Sequence, residues 1–317
     1  MPNRSHPTRG YFYIAAATFL WGISATLGRA AFTGRIPIAG QNVHPIDPLI
    51  LSQSRTTFSF LILLPVLAAQ RGWKSLKLPR RDLLACFLLG IFGVAASNYL
   101  YYLAIQKTNV ATAIILQYTA PVWVLLYMVT RGLQRPSARR VSAVGLAVIG
   151  SALAIGVVGA GGFSLNPVGL LAAILAAFSF AFYNIGGHNI LARYDRWKVL
   201  LWTLIAAASF WAVVNPPWKV AGSPYSAAQW IFLFVFSVVS VLGPFSLYFA
   251  GLQHLEPTRA IVASCLEPVF SIVIAAIALG EVLKPIQVLG IVVVLAAIVL
   301  VQWPEAGREE VVVEPIE

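Results

Sequence analysis

Glu267 stands inside the apolar run PTRAIVASCLEPVFSIVIAAIALG, where a carboxylate needs either a use or a partner. If that run is a membrane helix, Glu267 lies about 15 Å along it at 1.5 Å per residue. A charge at that depth costs roughly 2.5 to 3.5 kcal/mol unless it is paired or protonated. Three roles fit: a proton-coupling carboxylate, a contact for a cationic group of a substrate, or a fixed structural partner for Arg55 or Arg29. Arg55, also deep in an apolar stretch, is the best candidate partner or anion-binding group. Arg29 lies close enough to the end of its stretch to snorkel to the surface, and His188 reads as an interfacial residue rather than a proton relay.

A second set of residues could wall a pocket for a metabolite with both apolar and polar parts. Trp21 and Ser24 share a helix face at spacing three, Asn98, Tyr101 and Tyr102 crowd one stretch, and Gln117 and Tyr118 share the next. Tyr183, Asn184 and Tyr248 follow in the second half of the chain. The competing reading of each is ordinary: tyrosine and tryptophan anchor helices at the interface, and Asn or Gln joins one helix to another. Cys86 and Cys265 match no ligand spacing and are assigned to packing, so neither a metal nor another cofactor is expected.

The elements that must position these residues are membrane helices. With 59% hydrophobic and only 10% charged residues among 317, and a mean hydropathy of +0.81, the chain cannot hide its apolar surface in one soluble core. Ten windows of about 20 apolar residues can be drawn, each enough to span roughly 30 Å of hydrocarbon. They cover approximately 11–33, 47–69, 83–105, 108–130, 138–158, 167–190, 198–215, 228–251, 257–280 and 284–303. Strand alternation is absent, so the spans read as helices. Small-residue ridges at Ala143, Ala147 and Ser151, and at Ala173, Ala177 and Ala181, would allow close helix packing.

The same short text occurs twice, 147 residues apart: LYYLAIQKTNVATAIILQYTAPVW from Leu100 and LYFAGLQHLEPTRAIVASCLEPVF from Leu247, with seven of 24 positions identical. Pro121 and Pro268 are among the identities, and each removes a backbone hydrogen bond and can free a carbonyl to line a cavity. Tyr101 and Tyr248 also coincide, which supports the pocket group as a group. Five windows fall in each half. Because five is odd, the second copy must enter the membrane from the opposite side, and the halves are inverted. Folds of this kind bind substrate near the midplane between the halves and alternate access by rocking about it.

Of the 22 basic residues, 16 fall in the segments that lie inside if the N-terminus is inside, and four fall outside. Both termini are therefore expected in the cytoplasm. The net charge of +11 is mostly this topology signal, spread over short loops, and a nucleic-acid partner is not expected. The first apolar stretch is too long for a signal-peptide core and reads as a retained helix. The tail from Pro304 carries five glutamates and reads as disordered.

These residues resemble the EamA family of the drug/metabolite transporter superfamily. The strongest stretch is PTRAIVASCLEPVFSIVIAAIALGEVLKPIQVLGIVVVLAAIVL, with Leu279, Gly280, Glu281 and Gly290. ATFLWGISATLGRAAF resembles the family's opening helix with its Trp21-Gly22 pair, and Arg55 stands where that family commonly carries an arginine. Two departures stand out: Arg131-Gly132-Leu133-Gln134 replaces a frequent Gly-Glu pair, and the last helix lacks a late glycine. The resemblance implies an all-α protein of ten membrane helices in two inverted five-helix repeats, 11–158 and 167–303, flanked by cytoplasmic tails 1–10 and 304–317. It implies a carrier or facilitator of a small metabolite in the inner membrane, commonly an exporter of amino acids or related compounds, while Glu267 leaves a proton as candidate coupling ion.

Two other functions remain in view. Efflux of lipophilic cations would use the same architecture. A membrane enzyme acting on a lipid-linked substrate would need clustered carboxylates, histidines or metal ligands, whereas five of the 11 acidic residues lie in the tail and the four histidines are scattered. No nucleotide-binding GxxxxGK[ST] loop occurs. Substrate identity, coupling, direction of flux and oligomeric state are left open by the sequence.

Overall fold

In the computed structural model, residues 7–32, 34–36, 40–41, 43–108, 110–155, 166–279 and 283–303 are described. The Gly280-Glu281 pair, the tail from Pro304, and the Arg29 side chain lie outside the described residues.

The first half runs α1 (Pro7–Phe32), a two-residue antiparallel pair β1 (Arg35–Ile36) and β2 (Gly40–Gln41), then α2 (Pro48–Arg71). Span three is composite: α3 (Arg80–Leu88), a π-helical segment (Leu89–Ala95) and α4 (Ala96–Lys107). Span four is broken into α5 (Val110–Gln117) and α6 (Ala120–Thr130), and α7 (Ala138–Ala154) is the fifth. The second half repeats the plan with α8 (Pro167–Leu191), α9 (Arg196–Val214) and a short connecting α10 (Pro217–Ala221). Span eight is α11 (Ala227–Ser237), a π segment (Val238–Leu242) and α12 (Gly243–Leu252). Span nine is broken into α13 (Pro257–Ser264) and α14 (Leu266–Leu279), and α15 (Pro285–Gln302) closes the chain. Among the described residues, nine spans are long and apolar enough to cross a membrane, and α7, with 17 residues, is the tenth helix of the set.

The ends of these helices are written locally. Asp47 caps α2 through the Leu49 amide at 2.8 Å, Asn166 caps α8 through Gly169 at 3.1 Å, and Asp195 caps α9 through Trp197 at 3.1 Å. Proline follows directly after Asp47 and Asn166, where a missing N–H costs nothing. Large apolar side chains such as Phe92, Ile149 and Leu171 are more than half exposed, a surface suited to lipid and not to water.

Lipid is as apolar as a leucine side chain, so helices associate here through close packing. Both small-residue ridges lie in interfaces. Ala143, Ala147 and Ser151 are fully buried, and the two alanines pack with Val294, Ala297 and Ile298 of α15. Gly290 brings α15 so near α7 that a Cβ there would fall 2.2 Å from the Ala154 nitrogen. Ala177 and Ala181 pack against Ala120, Val124 and Ile261, which joins α8 to both broken spans.

The sequence windows promise ten continuous spans, and the structure interrupts four of them. The interruptions come in matched pairs. The 147-residue offset carries the π segment Leu89–Ala95 onto 236–242, which contains the π segment Val238–Leu242, and the break at Tyr118 onto the break at Cys265.

Candidate functional site

Each break lies three residues before a proline. Having no N–H, Pro121 and Pro268 cannot bond the carbonyls of Gln117 and Ser264 one turn back, so these two carbonyl ends are released at equivalent places. The chain tightens there: the Thr119 amide donates to Leu116 at 3.2 Å and the Cys265 amide to Val262 at 3.1 Å. Thr119 donates its hydroxyl to the Leu116 carbonyl at 2.6 Å, and the Cys265 thiol faces the Ile261 carbonyl at 3.7 Å.

Glu267 lies in the first turn of α14, where the half-helix N-terminus favours a negative charge. Its hydrogen-bonding partner is Tyr118, which comes from the break of the other half, and the Arg55 guanidinium acts on it as a charge. Glu267, Tyr101 and Tyr118 are deep in the molecule yet each keeps part of its surface accessible. Gln117, half-buried at the end of α5, borders the same break.

Arg55 is only 5% exposed and is held elsewhere. It donates to the Tyr102 hydroxyl at 2.5 Å and to the Ser240 carbonyl at 2.9 Å, and its guanidinium lies over the Phe236 ring. Ser59, one turn along α2, donates to the Ser237 carbonyl at 3.1 Å. In span eight, α2 thus supplies one donor to the π segment, at Ser240, and one to the residue just before it, Ser237. No ion pair within 4.0 Å joins Arg55 to Glu267 among the described residues, so the charges are neighbours without being a contact pair.

The remaining sequence candidates divide by burial. Trp21 packs its indole against Phe180, Phe245 and Tyr248 with centroids 5.4–6.1 Å apart, forming one aromatic cluster from spans one, six and eight. Tyr183, Asn184 and Tyr248 are fully buried within or beside it, and Asn184 donates to the Tyr248 hydroxyl. Ser24 turns its hydroxyl onto the Trp21 carbonyl at 2.9 Å, and Asn98 turns its amide onto the Val94 carbonyl of the π segment at 2.7 Å. Tyr102 is occupied with Arg55. The structure thus brings Glu267, Tyr101 and Tyr118 near one another, with Gln117 next to the break, and gives the others packing or bonding partners.

The helices beside these residues are packed unequally on the two faces. On the side of the molecule that carries the basic loops, α6 packs on α13 and both pack on α8. The equivalent pairing on the opposite side, α5 with α14, has no comparable packing among the described residues. Repeated text is therefore buried unequally: Ile261, Ala263 and Ser264 are nearly inaccessible, whereas Ile114, Leu116 and Gln117 keep accessible surface.

A duplicated five-helix unit with matched interruptions and a shared interior carboxylate is a transporter architecture. The model of the EamA-like transporter family matches residues 8–156 and 167–303, one match per half. The chain belongs to the EamA-like transporter family. One EamA relative is the uncharacterized inner membrane transporter YicL of Salmonella typhimurium, 24% identical over 95% of this chain and 97% of its own. Another is the threonine/homoserine exporter RhtA of Escherichia coli K12, 27% identical over 73% of this chain and 75% of its own. A solved crystal structure superposes with a TM-score of 0.74 at 18% identity, covering 93% of this chain and 96% of that one, which supports the fold. This EamA protein is accordingly a multi-pass membrane transporter.

Sequence reasoning did not find the partners of Arg55, because they include a backbone carbonyl and carry no signature of their own. The prolines at 121 and 268 were the available signal for the breaks. Glycines at 90, 93 and 243, beside or within the π segments, signal close packing there but not π geometry.

Proposed function

We propose that this EamA transporter exports an amino acid or closely related metabolite by alternating access between its inverted halves, with Glu267 receiving the substrate's ammonium group. The observation that carries this reading is a partly accessible carboxylate deep between the halves, at the paired helix breaks where two carbonyl ends are released. All three groups are acceptors, which suits a primary ammonium with several N–H donors. Tyr101 and Tyr118 add hydroxyls and ring faces. The RhtA name supports the amino-acid class. The basic loops and both termini are assigned to the cytoplasm by the distribution of Lys and Arg.

The test is uptake into proteoliposomes, with threonine, homoserine, other amino acids and lipophilic cations offered with and without a pH gradient. Saturable transport of an amino acid that Glu267→Gln weakens by about a hundredfold, the loss of a charge-assisted bond worth about 2.7 kcal/mol, supports it. If Glu267→Gln instead abolishes only accumulation driven by the pH gradient while exchange survives, Glu267 couples protons. Aromatic rings around the carboxylate also suit a lipophilic cation, and preference for that class across the panel would replace the amino-acid reading with drug efflux. Transport unchanged in Glu267→Gln would remove this residue from the mechanism.

A further inference from the structure

Gln134 closes the turn that departs from the family's Gly-Glu pattern, and it is only 7% exposed although it lies in a loop between α6 and α7. Its backbone amide is bonded to the Met128 carbonyl at 3.0 Å, which fixes the side chain against the second half. There the amide Nε2 donates to the Glu256 carboxylate at 2.9 Å, and the amide Oε1 accepts from the Thr258 hydroxyl at 2.8 Å. Glu256 is the residue before α13 but makes no capping bond to its own helix, so its carboxylate is committed across the interface. Arg140, from the start of α7, lies 4.0 Å from the same carboxylate.

We propose that Gln134 is the latch of the basic-loop face: its one amide ties α6 and α7 of the first half to α13 of the second, and its release opens the path from that face to Glu267. This inference rests on the alternating-access reading above and concerns the gate rather than the cargo. Beneath the latch, Ile261 is fully buried among Ala120, Val124, Met128, Ala177 and Ala181. Parting α13 from α6 and α8 uncovers Ile261. Among the described residues the matching pair on the other face, α5 and α14, shows no comparable packing.

The latch depends on an amide having a donor end for a carboxylate and an acceptor end for a hydroxyl. A carboxylate at position 134 meets Glu256 as a like charge. The experiment follows maleimide labelling of Ile261→Cys in lipid nanodiscs, with the introduced thiol read apart from those of Cys86 and Cys265 by peptide mass spectrometry. Adding Gln134→Glu should speed labelling about tenfold, the factor that about 1.4 kcal/mol of lost latch bonding produces. Adding Glu256→Gln to that protein returns a donor amide opposite the new carboxylate, leaves Thr258 free to donate to it, and should bring labelling back to within about threefold of the starting rate. Thr258→Val, nearly isosteric, removes one bond and should speed labelling about threefold. It decides the matter if Gln134→Glu fails to fold.

Labelling as slow in Gln134→Glu and Thr258→Val as in the parent overturns the latch. Fast labelling that Glu256→Gln does not reverse also overturns it, because the loop would then merely be propped by Gln134. No substrate enters this measurement, so its failure and the failure of the amino-acid reading are separately visible.

Discussion

Two charges buried in the same membrane protein have different anchors. Glu267 is offset by the N-terminus of α14, by Tyr118, by the nearby charge of Arg55 and by its own partly accessible surface. Arg55 is committed to a hydroxyl and a backbone carbonyl. Arg55→Met should therefore lower stability by about 1–3 kcal/mol, read as a drop in the thermal unfolding midpoint in detergent, because the Ser240 carbonyl loses a charged donor. Arg55→Lys should recover only part of it, since one ammonium cannot reproduce the guanidinium fork that reaches both acceptors. An unchanged midpoint in Arg55→Met would show that the π-segment carbonyl needs no donor. At the membrane surface, Tyr194 donates to Asp82 at 2.7 Å, and this bond holds its phenol above the ordinary value of 10.0. The bond is therefore intact at neutral pH and lost only as pH rises beyond the usual tyrosine range. The alkaline absorbance difference between the parent and Tyr194→Phe should rise later than that of a free tyrosine. Glu267 and Arg55 could be picked out in the sequence because charge is rare in apolar text. That they are not in direct contact could not, since Arg55's nearer acceptors come from residues 102 and 240.

Paired interruptions are the main feature at the level of elements. Prolines are visible in sequence, and both broken spans carry one three residues beyond the break. Pro268→Ala restores an N–H for the Ser264 carbonyl and should straighten span nine, slowing transport more than binding. Equal loss of both would favour a purely local packing defect. The tight α7–α15 interface makes a second prediction. A methyl at Gly290 meets the Ala154 backbone at 2.2 Å, which no rotamer can relieve, so Gly290→Ala should cost upwards of about 2 kcal/mol. Gly145→Ala, on the same α7 and with nothing within 4 Å of the new methyl, should be neutral or stabilising by up to about 1 kcal/mol. Thermal midpoints of the two variants decide it. The π segments had no such signal, because π geometry in spans three and eight depends on what packs against the bulge: Ser59 and Arg55 at one, and α9 approaching Gly90 at the other.

For the molecule as a whole, the halves are tied on both faces around spans two, three, six, seven and eight, whereas spans four and nine pack on each other through α6 and α13 on the basic-loop face and show no comparable α5–α14 packing among the described residues. Arg71 pairs with Asp195 at 2.5 Å and Arg193 with Asp82 at 2.7 Å on the basic-loop face. On the opposite face Gln53 and Asn215 exchange two bonds at 2.8 and 2.9 Å, and the Gln229 side chain donates to the His44 carbonyl at 2.7 Å. On the alternating-access reading proposed above, this doubly tied side would be the hinge and the broken spans the moving edge. Symmetry-equivalent positions should therefore react differently: a thiol at Gln117→Cys should label from the face opposite the basic loops at least about tenfold faster than one at Ser264→Cys, given their unequal burial. Equal rates would mean that the two faces are equally closed. The amino-acid sequence by itself determined the membrane class, the spans, the duplication and hence the inversion, because hydropathy, charge distribution and repeat parity are properties of the chain read in order. Only the tertiary structure decided which repeat is buried and which is open, that Arg55 serves a backbone carbonyl, and that Gln134 meets Glu256 and Thr258. Each of those depends on which non-local neighbours arrive, and two nearly equivalent texts can be packed against different ones.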